Sequence, residues 1–126
     1  DLQATLGMAL IFITHDMGVL AEMANEVAVM YLGRIVEFAD VDTIFHQPAH
    51  PYTLELLRSI PTLDREPRTL LTTIEGTVPV PLNLKPGCGF YSRCRQGQKG
   101  LCDEEDPPLV EVEAGHWVRC FREKGN

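Results

Sequence analysis

Several features that would point directly to a function are missing from these 126 residues. There is no basic stripe: the formal net charge is −7, and the positive residues gather only at Arg93, Arg95 and Lys99. Gripping nucleic acid takes lysines and arginines arrayed against phosphate, so that class is set aside. No long apolar run exists either. The longest, residues 8–13, falls well short of the roughly 20 residues needed to cross a bilayer. The N-terminus, Asp1-Leu2-Gln3, lacks the basic-then-apolar pattern of a secretory signal. It also lacks an initiator methionine, which reads as a piece of a longer chain. No Gly-Lys pair occurs, so there is no glycine-rich phosphate cradle ending in Gly-Lys-Ser/Thr. No apolar run closes on a magnesium-binding aspartate followed by a base-like glutamate.

What is present divides at about residue 65. Hydrophobic residues make up 44% of the chain, enough for a folded core, but six of the nine prolines lie beyond that point. The first half is periodic and apolar, the second irregular and loop-rich. Residues 1–6 read as the tail of a helix ended by Gly7 in a left-handed cap. Residues 8–14 form a continuous apolar run of strand length, the pattern of a strand covered on both faces. Asp16 then caps a helix in which Met17, Leu20, Ala21, Ala24 and Val27 make one apolar stripe. "VAVMYL" and "RIVEFA" read as two strands of a hairpin turning at Gly33. Residues 41–46 suggest a short helix with Asp42 near its start. In "HQPAHPYTLELLRSIP", Pro51 suits the first turn of another, with Leu54, Leu57 and Arg58 on one face and Pro61 closing it. Residues 62–86 read as extended and proline-punctuated.

The first candidate for chemistry is His15, at the carboxyl end of the apolar run in "ALIFITHDMG". Ligands of open α/β sheets bind at such ends, where an imidazole can donate to a phosphate oxygen or an attacking water. A polar residue closing a buried strand is the plainer reading, as a helix cap is for Asp16. His50 and Tyr52 flank Pro51 and read as a helix start, with His50 at the cap position. His46 has no nameable partner. The second candidate is the set Cys88, Cys94, Cys102 and Cys120, spaced C-x5-C-x7-C-x17-C. With no secretory signal, clustered cysteines point to metal before disulfides. The short C-x2-C knuckles of many zinc sites are missing. The spacing leaves open a [4Fe–4S] cluster, a four-cysteine zinc site or two disulfides. Arg93, Arg95 and Lys99 either offset thiolate charge or form a solvated basic loop.

"IFITHDMGVLAEMANEVAVMYLGRIVE" resembles the segment of ABC-transporter ATPases that begins at the switch histidine. "HPYTLELLRSIP" resembles a stretch peculiar to the oligopeptide/dipeptide-importer branch. "GTVPVPLNLKPGCGFYSRC", "CDEEDPPLVEV" and "GHWVRC" resemble that branch's C-terminal extension. The series runs in order across essentially the whole chain. It departs from the usual pattern after Cys94, where "RQGQKGL" replaces a proline and small residues.

The resemblance implies an α/β fold: the C-terminal remnant of a P-loop (RecA-like) ABC ATPase domain, followed by a small irregular cysteine-rich extension. Residues 1–47 would belong to the nucleotide-binding domain and 48–126 to the extension, with the four-cysteine module at 87–121. His15 takes the switch-histidine role toward the γ-phosphate of ATP. ATP and Mg would be held by upstream motifs, so residues 1–126 alone would be inactive. By the same resemblance Cys88, Cys94, Cys102 and Cys120 hold a [4Fe–4S] cluster, with Zn as the alternative. His116 reads as structural, donating to a cluster sulfur, and Trp117 as a packing lid.

The implied partners are transmembrane permease subunits, a second ATPase subunit and an extracytoplasmic substrate-binding protein. The implied location is peripheral, on the cytoplasmic face of the cell membrane. Two other classes compete: a redox carrier or sensor, and a metal-stabilised interaction module without catalysis of its own. Stripped of neighbouring strands, residues 8–14 would drive self-association.

Overall fold

A computed structural model of the chain describes residues 2–60, 74–80 and 82–123. It is a mixed α/β structure built on one four-stranded antiparallel sheet. The first two strands are the expected hairpin, β1 (Glu26–Tyr31) and β2 (Arg34–Asp40). Leu32 and Gly33 join them, both at positive φ (48° and 77°). That pair of angles is what a tight two-residue turn between right-twisted strands requires, and glycine takes it without strain. β1 alternates regularly and buries Val27, Val29 and Tyr31. β2 does not alternate, because the register slips between Val29 and Met30 and leaves Val36 and Glu37 buried in succession.

The sheet is completed from far along the chain. Strand β3 (Val110–Glu113) pairs with β4 (His116–Val118), and β4 pairs with β2, giving the order β1-β2-β4-β3. These two short strands lie in the part read from sequence as irregular.

Among the described residues, four helices precede the cysteine-bearing loops. α1 (Leu2–Leu6) ends at Gly7, whose φ is +62°, as expected. α2 (Met17–Met23) is capped by Asp16, which accepts from the Gly18 and Val19 amides at 2.9 and 3.2 Å. Only Met17 of α2 is buried, with Leu20 partly so, and Val27 has already entered β1. α3 (Val41–His46) is capped by Asp40 and packs its buried Ile44 against the hairpin. α4 (Pro51–Arg58) carries proline in its first turn and His50 as its cap, accepting from the Tyr52 amide at 3.0 Å. Its buried residues are Pro51 and Thr53, whereas Leu54 and Leu57 are half-buried and Arg58 is exposed. The apolar face expected of this helix is therefore displaced toward its N-terminus. Pro61, expected to close it, lies outside the described residues.

The core gathers under the hairpin: Val27, Val29, Tyr31, Val36, Ala39, Ile44 and Phe90. Phe90, from the cysteine loops, meets Tyr31 edge-on at 5.3 Å between ring centroids, and Tyr52 of α4 at the same distance. One ring thus joins hairpin, helix and cysteine loops. Residues 74–80 and 82–86 carry no helix or strand, as expected.

The largest departure from expectation is at the N-terminal apolar run. Residues 8–14 are not a buried strand: they form no strand and lie exposed, Ile11 at 88% and Ile13 at 99%. A strand covered on both faces needs neighbours on each edge for its amides and carbonyls. Among the described residues none pairs with this run.

Candidate functional site

The four cysteines, scattered in sequence, come together in space. Cys88, Cys94, Cys102 and Cys120 line one cavity, joined by His50 and Pro51 from the start of α4 and by Phe121 and Arg122. Backbone contacts hold the loops in place. The Cys88 amide donates to the Cys102 carbonyl at 2.7 Å, and the Cys94 amide to the Tyr91 carbonyl at 3.1 Å, closing the 3-10 turn Tyr91–Arg93. Gly87, at φ +111°, lies so close to this crossing that a Cβ would stand 2.8 Å from the Cys102 carbonyl oxygen. No side chain fits there. Its amide donates to Asp106, which also pairs with Arg34 beside the hairpin turn.

All four thiols are free and half-buried. Burial raises the thiol pKa of Cys88, Cys94 and Cys120 above the ordinary range. Repulsion between their would-be thiolates adds to the rise, against backbone hydrogen bonds at Phe90, Gln96 and Arg122. Such a set resists deprotonation unless a positive group enters among the sulfurs. In donor chemistry it suits a thiolate-bound metal or cluster. In spacing it is looser: among the described residues, no three His, Cys, Asp or Glu side chains are grouped closely enough to hold an ion.

The basic residues proposed to balance thiolate charge are otherwise engaged. Arg93 reaches the Tyr31 hydroxyl and the Ile74 and Glu75 carbonyls, and Arg95 pairs with Glu75. Lys99 is exposed. The cation that does line the cavity is Arg122, whose charge offsets a small part of the rise that burial imposes on the Cys94 thiol. Sequence reading missed it, although its position two residues after Cys120 was the available signal. His116 is buried, but its Nε2 lies 2.7 Å from Glu37 Oε1. Trp117 is half-buried and pairs with Phe38 in the sheet. His46 bonds within its own helix, to the Asp42 carbonyl.

His15 stands exposed where the extended run meets α2. Both bonds of the Asp16 side chain go to the helix amides, which is the capping role expected of it. No helix among the described residues is long and apolar enough to cross a membrane.

A hairpin fused to a cysteine-lined cavity by the "HPY" helix start is the arrangement on which the family resemblance converges. Residues 36–102 match the family described as oligopeptide/dipeptide transporter, C-terminal region, and the chain belongs to that family. It is 45% identical to the dipeptide transport ATP-binding protein DppF of Escherichia coli K12, over 96% of this chain and 36% of that protein. It is 46% identical to the oligopeptide transport ATP-binding protein AppD of Bacillus subtilis 168, over the same shares. A probable peptide ABC transporter ATP-binding protein, y4tS of Sinorhizobium fredii, is 45% identical over 95% of this chain and 34% of its own length. The chain thus spans about a third of the relatives it matches.

Proposed function

We propose that this chain is the C-terminal part of an ATP-hydrolysing subunit that powers peptide import through an ABC transporter. The observation that carries the reading is similarity over 96% of the chain to proteins named for ATP binding in dipeptide and oligopeptide transport. Residues 1–47 form the end of the nucleotide-binding domain, of P-loop (RecA-like) type. Residues 48–126 form the extension, with the cysteine module at 87–121. The subunit works with transmembrane permease subunits, a second ATPase subunit and a substrate-binding protein, at the cytoplasmic face of the membrane.

His15 supplies the chemistry of this segment. It projects from the junction of an extended run and a capped helix, where an imidazole N–H is free to meet the γ-phosphate of ATP. Asp16 keeps that junction in shape by holding two amides of α2. ATP and Mg are held by residues outside this chain, so residues 1–126 alone turn over no ATP. In the full-length protein, reconstituted with its permeases, His15→Ala is expected to lower ATP hydrolysis by about a hundredfold or more while nucleotide still binds. Unchanged hydrolysis in that variant refutes the role of His15.

Cys88, Cys94, Cys102 and Cys120 bind a [4Fe–4S] cluster, with a zinc ion as the alternative. The support is their convergence on one cavity and the mutual repulsion that a bound cation relieves. The loose spacing of the sulfurs requires them to draw in on binding. Such a group would tie three loops to the hairpin, a structural contribution. Iron, zinc and sulfide analysis of anaerobically purified protein decides between the two, and the absence of all three removes the assignment.

A further inference from the structure

Glu37 is a carboxylic acid with no exposed surface, in a strand between Val36 and Phe38. Burial of a carboxylate is tolerated only where donors replace water. Three do so here. Oε1 accepts from the Ala49 amide and from His116 Nε2, each at 2.7 Å, and Oε2 accepts from the His50 amide at 3.0 Å.

These donors come from two walls of the cysteine cavity. Ala49 and His50 open α4, and His50 and Pro51 line the cavity. His116 begins β4, which leads through Arg119 to Cys120, another lining residue. The His50 Nδ1 accepts from the Tyr52 amide, which fixes the start of α4 on the same wall. On the other wall Arg119, the neighbour of Cys120, is tied to β2: its amide donates to the Val36 carbonyl at 2.8 Å, and its Nε to the Ile35 carbonyl at 3.0 Å.

We infer that Glu37 is a positioning residue for the cysteine cavity, fixing where Cys120 stands relative to α4 and the other three thiols. The purpose of that positioning, thiolate binding of a metal or cluster, rests on the reading proposed above. Sulfurs that ligate one centre must be held at set separations, which falls to the residues behind them. Cys88 and Cys102 are already joined by their own backbones. Cys120 follows a separate strand, β4, and depends on the ties of Arg119 to β2 for its place.

The test is site-resolved alkylation by iodoacetamide of the full-length protein, reduced and freed of metal by a chelator. Mass spectrometry reads each of the four cysteine peptides. In Glu37→Gln the new amide nitrogen cannot accept, so at least one donor loses its partner. Cys120 is expected to react about tenfold faster, the scale of one lost buried hydrogen bond, with Cys88 and Cys102 little changed. His116→Ala, which leaves both backbone amides on Glu37, should shift Cys120 in the same selective way. It decides the matter if Glu37→Gln fails to fold. His116→Gln, which keeps a donor, should restore the parent rate. Equal acceleration of all four cysteines, or of none, overturns the assignment. Cobalt(II) titration of the parent separates the two claims. No thiolate-to-cobalt absorption would defeat the metal reading, while the alkylation pattern still judges Glu37.

Discussion

Residues 8–13 and strand β1 are both apolar and both of strand length, yet the structure treats them oppositely. β1 buries Val27, Val29 and Tyr31 because a tight turn supplies its partner at once, and α3 and Phe90 cover the inner face. Residues 8–13 leave Met8, Leu10, Ile11, Phe12 and Ile13 in solvent. Hydrophobicity states that a segment will be buried, but not by what. A hairpin carries its own answer within a dozen residues; a strand of a parallel sheet depends on neighbours from distant sequence.

That contrast is broken or confirmed most directly by paired truncations. Phe90→Ala removes a ring that touches Tyr31, Tyr52 and His50, and is expected to cost about 3–5 kcal/mol in urea unfolding. Ile13→Ala, at a side chain 99% exposed, should change the stability of residues 1–126 by no more than about 0.5 kcal/mol. A large cost at Ile13 would show that the run is covered in solution. Self-association is the obvious route, and Ile11→Lys with Ile13→Lys should then abolish it in light scattering.

A smaller effect separates the regions by pH. Burial holds the His50 ring neutral and depresses its pKa to about 4 from the ordinary 6.5, although the Glu37 charge and the Arg119 backbone hydrogen bond pull the other way. Between those values the unfolded chain binds a proton that the folded chain refuses. Stability therefore falls as pH drops from about 6.5 to about 4, and levels below that. The full loss is about 3 kcal/mol. His50→Asn, which keeps an oxygen to cap α4, should remove this part of the slope in urea melts at a series of pH values. A slope unchanged in that variant would place the proton uptake elsewhere.

Local signals were legible in the sequence where one residue type answers one backbone need. Gly7, Gly33, Asp16, His50 and Pro51 all stand where their chemistry placed them. Two things were hidden. β3 and β4 are too short for alternation to be read; β4 gains its place by pairing with β2 some 80 residues away, and β3 by pairing with β4. Glu37 drew no reading from "RIVEFA", and it lies inside because its register sets it opposite the buried Val29 and Val118. The four cysteines were legible as a set, but the carboxylate behind them was not, since its partners meet it only in the folded chain. His15 stood out by its place at the end of the apolar run, but its role toward a nucleotide came only through resemblance.

The two aspartate caps give the finest comparison. Asp40 accepts from the Thr43 amide at 2.9 Å and from its hydroxyl at 2.6 Å, and caps a helix whose Ile44 is wholly buried under the hairpin. Asp16 makes two similar bonds, but caps a seven-residue helix that buries only Met17. A helix welded to the core unfolds with it, whereas one held by a single residue opens by itself. Asp40→Ala should therefore lower the melting temperature of residues 1–126 by a few degrees, while Asp16→Ala leaves it unchanged and speeds amide exchange at Gly18 and Val19 alone. Bonds to Thr43 hold the Asp40 carboxyl below the usual range. Its contribution is accordingly present above the ordinary carboxylate pKa and is lost as pH falls through the lowered one. The gap between parent and Asp40→Ala should close in acid. Equal melting shifts for the two variants would mean that α2 is as firmly part of the core as α3, and that the N-terminal region is not the separate, underpacked element its exposure indicates.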